Sequence, residues 1–196
     1  EELLNALGVS QDRESSYLQR RWGIDEITHV LGYHPLALTL AAHLIQSNPA
    51  EARENFQQLL AVPEELKSER ERFTLLYNLA FMSRTQGEYS ETLQLYKRAL
   101  EIARRLGDRH SEAKVLKAIG DVQQFRDERD AALQSYAQAL VLFREIGDRL
   151  GEANVLQAIG DVQQFRDERD AALRSYAQAL ALFREVGDRL GEANTV

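Results

Sequence analysis

The chain has 196 residues, no cysteine and a net charge of −7. Those numbers exclude a disulfide framework, a thiolate zinc site and the basic excess with which nucleic-acid binders neutralise phosphate. The acidity is uneven: residues 1–67 hold 5 basic and 10 acidic side chains, whereas residues 68–196 hold 19 and 21, closely interleaved as on a solvated helix surface. The longest apolar run, 36–45, is broken by Thr39 and His43 and is too short to span a bilayer. No signal peptide opens the chain, and the lack of cysteine fits a reducing cytoplasm. The sequence starts without Met and stops within a repeating pattern, so a longer parent protein is expected.

In chain order, residues 1–67 read as a helical N-terminal segment. "LLNALGV" and "SYLQRRWGIDEITHVLGYHPLALTLAAHLIQ" carry helical spacing, and Asn48-Pro49-Ala50-Glu51 is a helix start. "AVPEELK" is the expected linker, and Ser68-Glu69-Arg70-Glu71 is a capping box at the entry to the next element.

A period of 40 then takes over: residues 108–147 and 148–187 differ at only 7 positions, and "AIGDVQQFRDERDAAL" occurs unchanged in both. The differences are His110/Leu150, Ser111/Gly151, Lys114/Asn154, Lys117/Gln157, Gln134/Arg174, Val141/Ala181 and Ile146/Val186. Residues 68–107 are a distant copy, and 188–196 begin another. Each unit reads as two helices. Val155, Leu156, Ile159 and Val162 space the first; Ala172, Tyr176, Ala179, Leu180 and Phe183 space the second. The aromatic stripe of Tyr136, Phe143, Tyr176 and Phe183 reads as core. In "RDERD", Asp127 and Asp167 are expected to cap the second helix, where the first unit has Gly87. Gly107, Gly147 and Gly187 are expected as left-handed caps, each followed by an Asp that starts the next helix. One helix pair cannot bury its own apolar face, but stacked copies bury each other's, which is a physical reason to write one unit twice. The fold class this implies is all-α: a right-handed solenoid of antiparallel helix pairs with a helical N-terminal cap.

These residues resemble the tetratricopeptide repeat. The family pattern falls on Leu156, Ile159-Gly160, Ala172, Tyr176 and Ala179-Leu180, and on Leu116, Ile119-Gly120, Ala132, Tyr136 and Ala139-Leu140. In the first unit it falls on Leu76, Leu79-Ala80, Thr92, Tyr96 and Ala99-Leu100. Departures are Ala80 for Gly, Thr92 for Ala, and Gln123 and Gln163 where the family often has Tyr. The period of 40 exceeds the common length and is similar to the kinesin light-chain-like branch and to bacterial signalling proteins. "LGYHPLALTLAAHL" resembles the Gly-Leu-Pro-Leu-Ala-Leu element of the NB-ARC/STAND signalling ATPases, through Gly32, Pro35, Leu36, Ala37 and Leu38, with Tyr33-His34 replacing the usual Gly-Leu. That resemblance implies a Pro35 near bound ADP only if an upstream nucleotide domain exists; this chain holds no phosphate-binding loop. The alternative is a Pro-started helix that caps the solenoid.

No catalytic constellation emerges. His29, His34, His43 and His110 have no metal-pair spacing, "RDERD" lacks the order of a calcium loop, and no nucleophile elbow occurs, so no metal or cofactor is expected. The tetratricopeptide resemblance implies a concave face made by the first helices, opposite their apolar side. It would carry Thr74, Tyr77, Phe81 and Arg84, then Lys114, Lys117, Asp121 and Gln124, then Asn154, Gln157, Asp161 and Gln164, with Asn194 beyond. Such a groove is polar and mixed in sign, and suits an extended or helical peptide of mixed polarity better than an acidic C-terminus. The leading expectation is a non-catalytic interaction scaffold for a protein or peptide, the sensor or docking part of a signalling protein. The alternatives are an accessory part of a STAND ATPase, or a natural or designed array that self-assembles. Incomplete cover by 188–196 is expected to leave Leu180 and Phe183 exposed for self-association.

Overall fold

The computed structural model describes residues 68–195 together with Arg53 and Gln57. The expected N-terminal helical segment, the Asn48 helix start, the "AVPEELK" linker and the Pro35 element lie outside the described residues. Among the described residues every regular element is an α-helix: α1 (Glu69–Thr85), α2 (Tyr89–Arg105), α3 (Arg109–Phe125), α4 (Arg129–Ile146), α5 (Arg149–Phe165), α6 (Arg169–Val186) and α7 (Arg189–Thr195). The architecture is all-α, as the period requires. The chain divides into two compact units, Glu1–Ile102 and Ala103–Val196.

In the first unit, Ser68 opens α1 with the capping box read from the sequence. Its hydroxyl accepts the Glu71 N–H at 3.2 Å, and the Glu71 carboxylate accepts the Ser68 N–H at 2.7 Å. The repeat-pattern residues Leu76, Leu79, Ala80, Thr92, Tyr96, Ala99 and Leu100 are all buried. Thr92 keeps its hydroxyl satisfied on the Glu88 carbonyl at 2.9 Å, which is how a polar side chain sits at an alanine position. Arg53 donates to Gln86 and pairs with Glu88 at 2.7 Å and Glu91 at 2.9 Å. The hydrogen bond from Arg53 holds the Glu88 carboxyl below its ordinary range.

In the second unit, α3 packs on α4, α4 on α5, α5 on α6 and α6 on α7, with α3 also against α5. Val115, Leu116, Ile119 and Val122 of α3 and Ala132, Tyr136, Ala139 and Phe143 of α4 are buried where these helices pack; in α5 and α6 Val155, Leu156, Val162, Ala172, Ala179 and Phe183 are buried likewise, with Ile159 and Tyr176 half-buried. Rings close on glycines. A Cβ at Gly120 would lie 2.5 Å from the Tyr136 ring, and one at Gly160 would lie 2.5 Å from Tyr176. Phe143 lies equally close to Gly151, and Phe183 to Gly191. Here the glycine is required by space, because no side-chain carbon fits between helix and ring.

Gly107, Gly147 and Gly187 take left-handed φ of 66°, 72° and 73° as expected. Asp108 and Asp148 cap α3 and α5, accepting the Ser111 N–H at 3.0 Å and the Gly151 N–H at 2.8 Å. Asp127 and Asp167 do not cap. They are themselves left-handed, at φ 62° and 59°, and Glu128 and Glu168 stand at the N-cap with no side-chain bond. The reason is the closure of α3 and α5. Glu128 N–H reaches the Gln123 carbonyl at 2.8 Å and Asp127 N–H the Gln124 carbonyl at 3.0 Å, a bond pair that needs a left-handed residue where the first repeat has Gly87. Aspartate tolerates that region, and Asp127 adds an ion pair to Arg129 at 2.7 Å.

Two further expectations are corrected. Phe183 is fully buried and Leu180 half-buried, because Gly191 brings α7 flat against the Phe183 ring; the exposed apolar residue there is Leu190. Tyr176 is only half-buried, whereas its copy Tyr136 is wholly buried.

Candidate protein-binding face

In α1, Tyr77 is half-buried, stacked on Phe73 at 5.9 Å and tilted on Tyr96 at 5.6 Å. The Arg84 guanidinium lies over the Phe81 ring at 5.2 Å. The expected residues of the first unit are therefore aromatic with one cation, and Thr74 ties its hydroxyl to the Arg70 carbonyl at 3.0 Å.

In the second unit the expected residues divide in two. Lys114 and Asn154 are exposed, and the Asn154 amide donates back to the Leu150 carbonyl at 2.9 Å. Lys117, Asp121, Gln157 and Asp161 are half-buried; they flank the apolar side instead of standing opposite it. What holds the two aspartates is a tyrosine hydroxyl. Tyr136 reaches across from α4 to lie 2.9 Å from Asp121 Oδ1 and 3.0 Å from the Gln124 amide. Tyr176 does the same with Asp161 at 2.8 Å and Gln164 at 3.0 Å. A phenol has one proton, and it faces the carboxylate and the glutamine Oε1, the ionised carboxylate being the stronger acceptor. Burial, then the Asp121 charge and hydrogen bond, push the Tyr136 phenol far above its ordinary pKa, with Asp161 adding to the effect. Tyr176 shifts the same way through burial and Asp161, but less. Ser135 and Ser175 donate to Gln123 and Gln163 at 2.7 and 2.8 Å, so the glutamines where the family has Tyr have their own partners.

The first helices of this unit stand side by side. The Gln157 amide donates to the Asn194 carbonyl of α7 at 3.0 Å, and α3 meets α5. Lys117 pairs with Asp121 at 2.8 Å. His110 is exposed, edge-on to Phe143 at 6.3 Å and 3.4 Å from Asp148.

Sequence reasoning missed two features. Glu112 and Glu152 are buried at the start of α3 and α5. Arg104 holds Glu112 at 2.9 Å, and Arg144 holds Glu152 at 2.7 Å, with Arg109 and Arg149 as second partners at 3.3 and 3.1 Å. The signal was the recurrent Arg eight positions before Glu. Phe125 and Phe165 end α3 and α5 largely exposed, at 63% and 68%, with Arg129 over the Phe165 ring at 5.7 Å. Among the described residues no acidic, histidine or cysteine group is arranged to hold a metal, and no helix is long and apolar enough to cross a membrane.

Residues 71–145 match the tetratricopeptide repeat family. No curated protein matches the chain. Solved structures share the fold. Aspartyl phosphate phosphatase F from Bacillus subtilis superposes with a TM-score of 0.78 at 12% identity, over 88% of this chain and 44% of that one. The signal transduction ATPase with numerous domains from Pyrococcus horikoshii, which has a tetratricopeptide repeat sensor, gives 0.76 at 17% identity, over 88% and 26%. BtubC from P. vanneervenii gives 0.66 at 16% identity, over 99% and 86%. The chain thus spans less than half the length of the first two. At these identities the likeness establishes the fold: a helical solenoid of tetratricopeptide type.

Proposed function

We propose that the chain is a non-catalytic interaction module that takes a protein or peptide on the face of its first helices, as the sensor or docking part of a larger cytoplasmic signalling protein. The observation that carries this reading is the contrast within the second unit. The tyrosine-anchored Asp and Gln recur in both copies with the same hydrogen bonds, while Lys114/Asn154 and Lys117/Gln157 beside them change. A fixed frame with variable polar positions is what selective peptide binding requires. The test is to exchange the pair as a double variant, Lys114→Asn with Lys117→Gln. The melting temperature should hold within a few degrees while the set of peptides selected from a random display library changes. An unchanged set would remove these positions from the binding face.

A second reading has its own support. The Pro35 element resembles part of a STAND ATPase, and one structure with this fold is a STAND protein with such a sensor. In that reading the repeats bias an upstream ADP/ATP switch. Calorimetry of ADP binding to the longest native polypeptide tests it; affinity lost on Pro35→Ala supports the reading, and no ADP binding removes it.

A further inference from the structure

The two copies treat one carboxylate differently. In α3, Lys117 reaches both oxygens of Asp121, at 2.8 and 3.1 Å, so that charge is compensated within the fold. In α5 the equivalent of Lys117 is Gln157, and its amide is spent on the Asn194 carbonyl at 3.0 Å. Asp161 keeps the Tyr176 hydroxyl on Oδ1 at 2.8 Å, and among the described residues no cationic side chain forms an ion pair with it. The nearby Gln164 is neutral. Asp161 is also half-buried, close enough to Tyr136 for its charge to disfavour that phenol's ionisation. A partly desolvated carboxylate without a counter-cation is unfavourable, and water compensates it less well than an ammonium or guanidinium does. The α3 side already carries Lys114 and Lys117, so among the described face residues of α3 and α5 the uncompensated negative charge sits at Asp161.

We propose that Asp161 is the specificity-determining position of this face, and that it receives a lysine or arginine side chain from a bound extended peptide. The inference rests on the binding face proposed above and names the chemistry of its ligand. The incoming cation takes the place that Lys117 fills in the preceding repeat, approaching the carboxylate oxygen that Tyr176 leaves open. Asn154 and Gln157 beside Asp161 are neutral, so the preferred ligand is polar with its basic residue over α5.

Two substitutions isolate the charge. Gln157→Lys rebuilds the internal pair already present in α3, a geometry this fold accommodates. Asp161→Asn removes the charge while leaving an oxygen for Tyr176. A random peptide display library is panned on the full 196-residue chain and on each variant, with folding checked by circular dichroism. Peptides selected on the parent chain should be enriched several-fold in Lys and Arg relative to both variant pools. A synthetic member should lose about tenfold in affinity on either variant, as expected for one charge-assisted contact. Equal basic content in the three pools, or affinity unchanged by Gln157→Lys, overturns the proposal while the binding face stands. Failure to select any peptide on the parent chain overturns both.

Discussion

The repeats 108–147 and 148–187 differ at 7 of 40 positions and build the same local structure, yet they do not bury the same residues. Tyr136 is wholly buried and Tyr176 half-buried, although each makes the same two hydrogen bonds. Ile119 is buried and its copy Ile159 is not fully so. The difference lies in the helix stacked on the C-terminal side of each unit: the 17-residue α5 packs on α4, whereas the 7-residue α7 packs on α6. Local geometry is written within a repeat, but burial is supplied by its neighbour, as nearest-neighbour stacking demands.

The comparison breaks most sharply at the tyrosines. Tyr136→Ala should cost about 3–5 kcal/mol, the usual range for a fully buried aromatic, and Tyr176→Ala about half of that. Denaturant unfolding of both variants measures it; equal losses would mean that the next helix contributes nothing to burial. The glycines beneath these rings come next. Gly120→Ala should cost about 1–3 kcal/mol by overpacking against a ring with no room to move, and Gly160→Ala less, since Tyr176 can swing toward solvent. Removing a junction carboxylate is of similar size. Glu152→Ala should cost about 1–3 kcal/mol, because Arg144 and Arg149 lose a buried acceptor but are themselves half-exposed and can rehydrate. The smallest change should be a gain. Asp127→Gly relieves a left-handed aspartate and should stabilise by up to about 1 kcal/mol, offset in part by the lost pair to Arg129 and by glycine's unfolded-state entropy. The same denaturant curves measure these four variants.

Much of this was legible in the sequence because the period of 40 aligns every position three times over. The helix pairs, the left-handed Gly147 and Gly187, the Asp108 and Asp148 caps and the core stripe apart from Tyr176 all come from local spacing. What escaped depends on the space between elements. Asp127 reads as a cap by composition, but the helix-closing bonds need it left-handed. Phe183 reads as exposed from the shortness of the segment after it, but Gly191 lets that segment lie directly on the ring. The partnership of ring and glycine was readable in principle. Where Phe143 precedes, position 151 is Gly; where Ala103 stands at the equivalent place, position 111 is Ser. At the candidate face, helical spacing put the expected residues on the first helices, with Lys114 and Asn154 exposed and Lys117, Asp121, Gln157 and Asp161 half-buried. It could not foresee that the Tyr136 and Tyr176 hydroxyls hold Asp121 and Asp161, because a long side chain from a second helix sets that geometry.

The most direct measurement is a titration of the isotope-labelled chain with a peptide selected on it, tracking every backbone amide by NMR. Shifts concentrated on α3 and α5 around Lys114, Asp121, Asn154, Gln157 and Asp161 are the predicted result. Shifts confined to the second helices α4 and α6, or to the exposed Phe125 and Phe165 at the turns, would contradict a binding face built on the first helices.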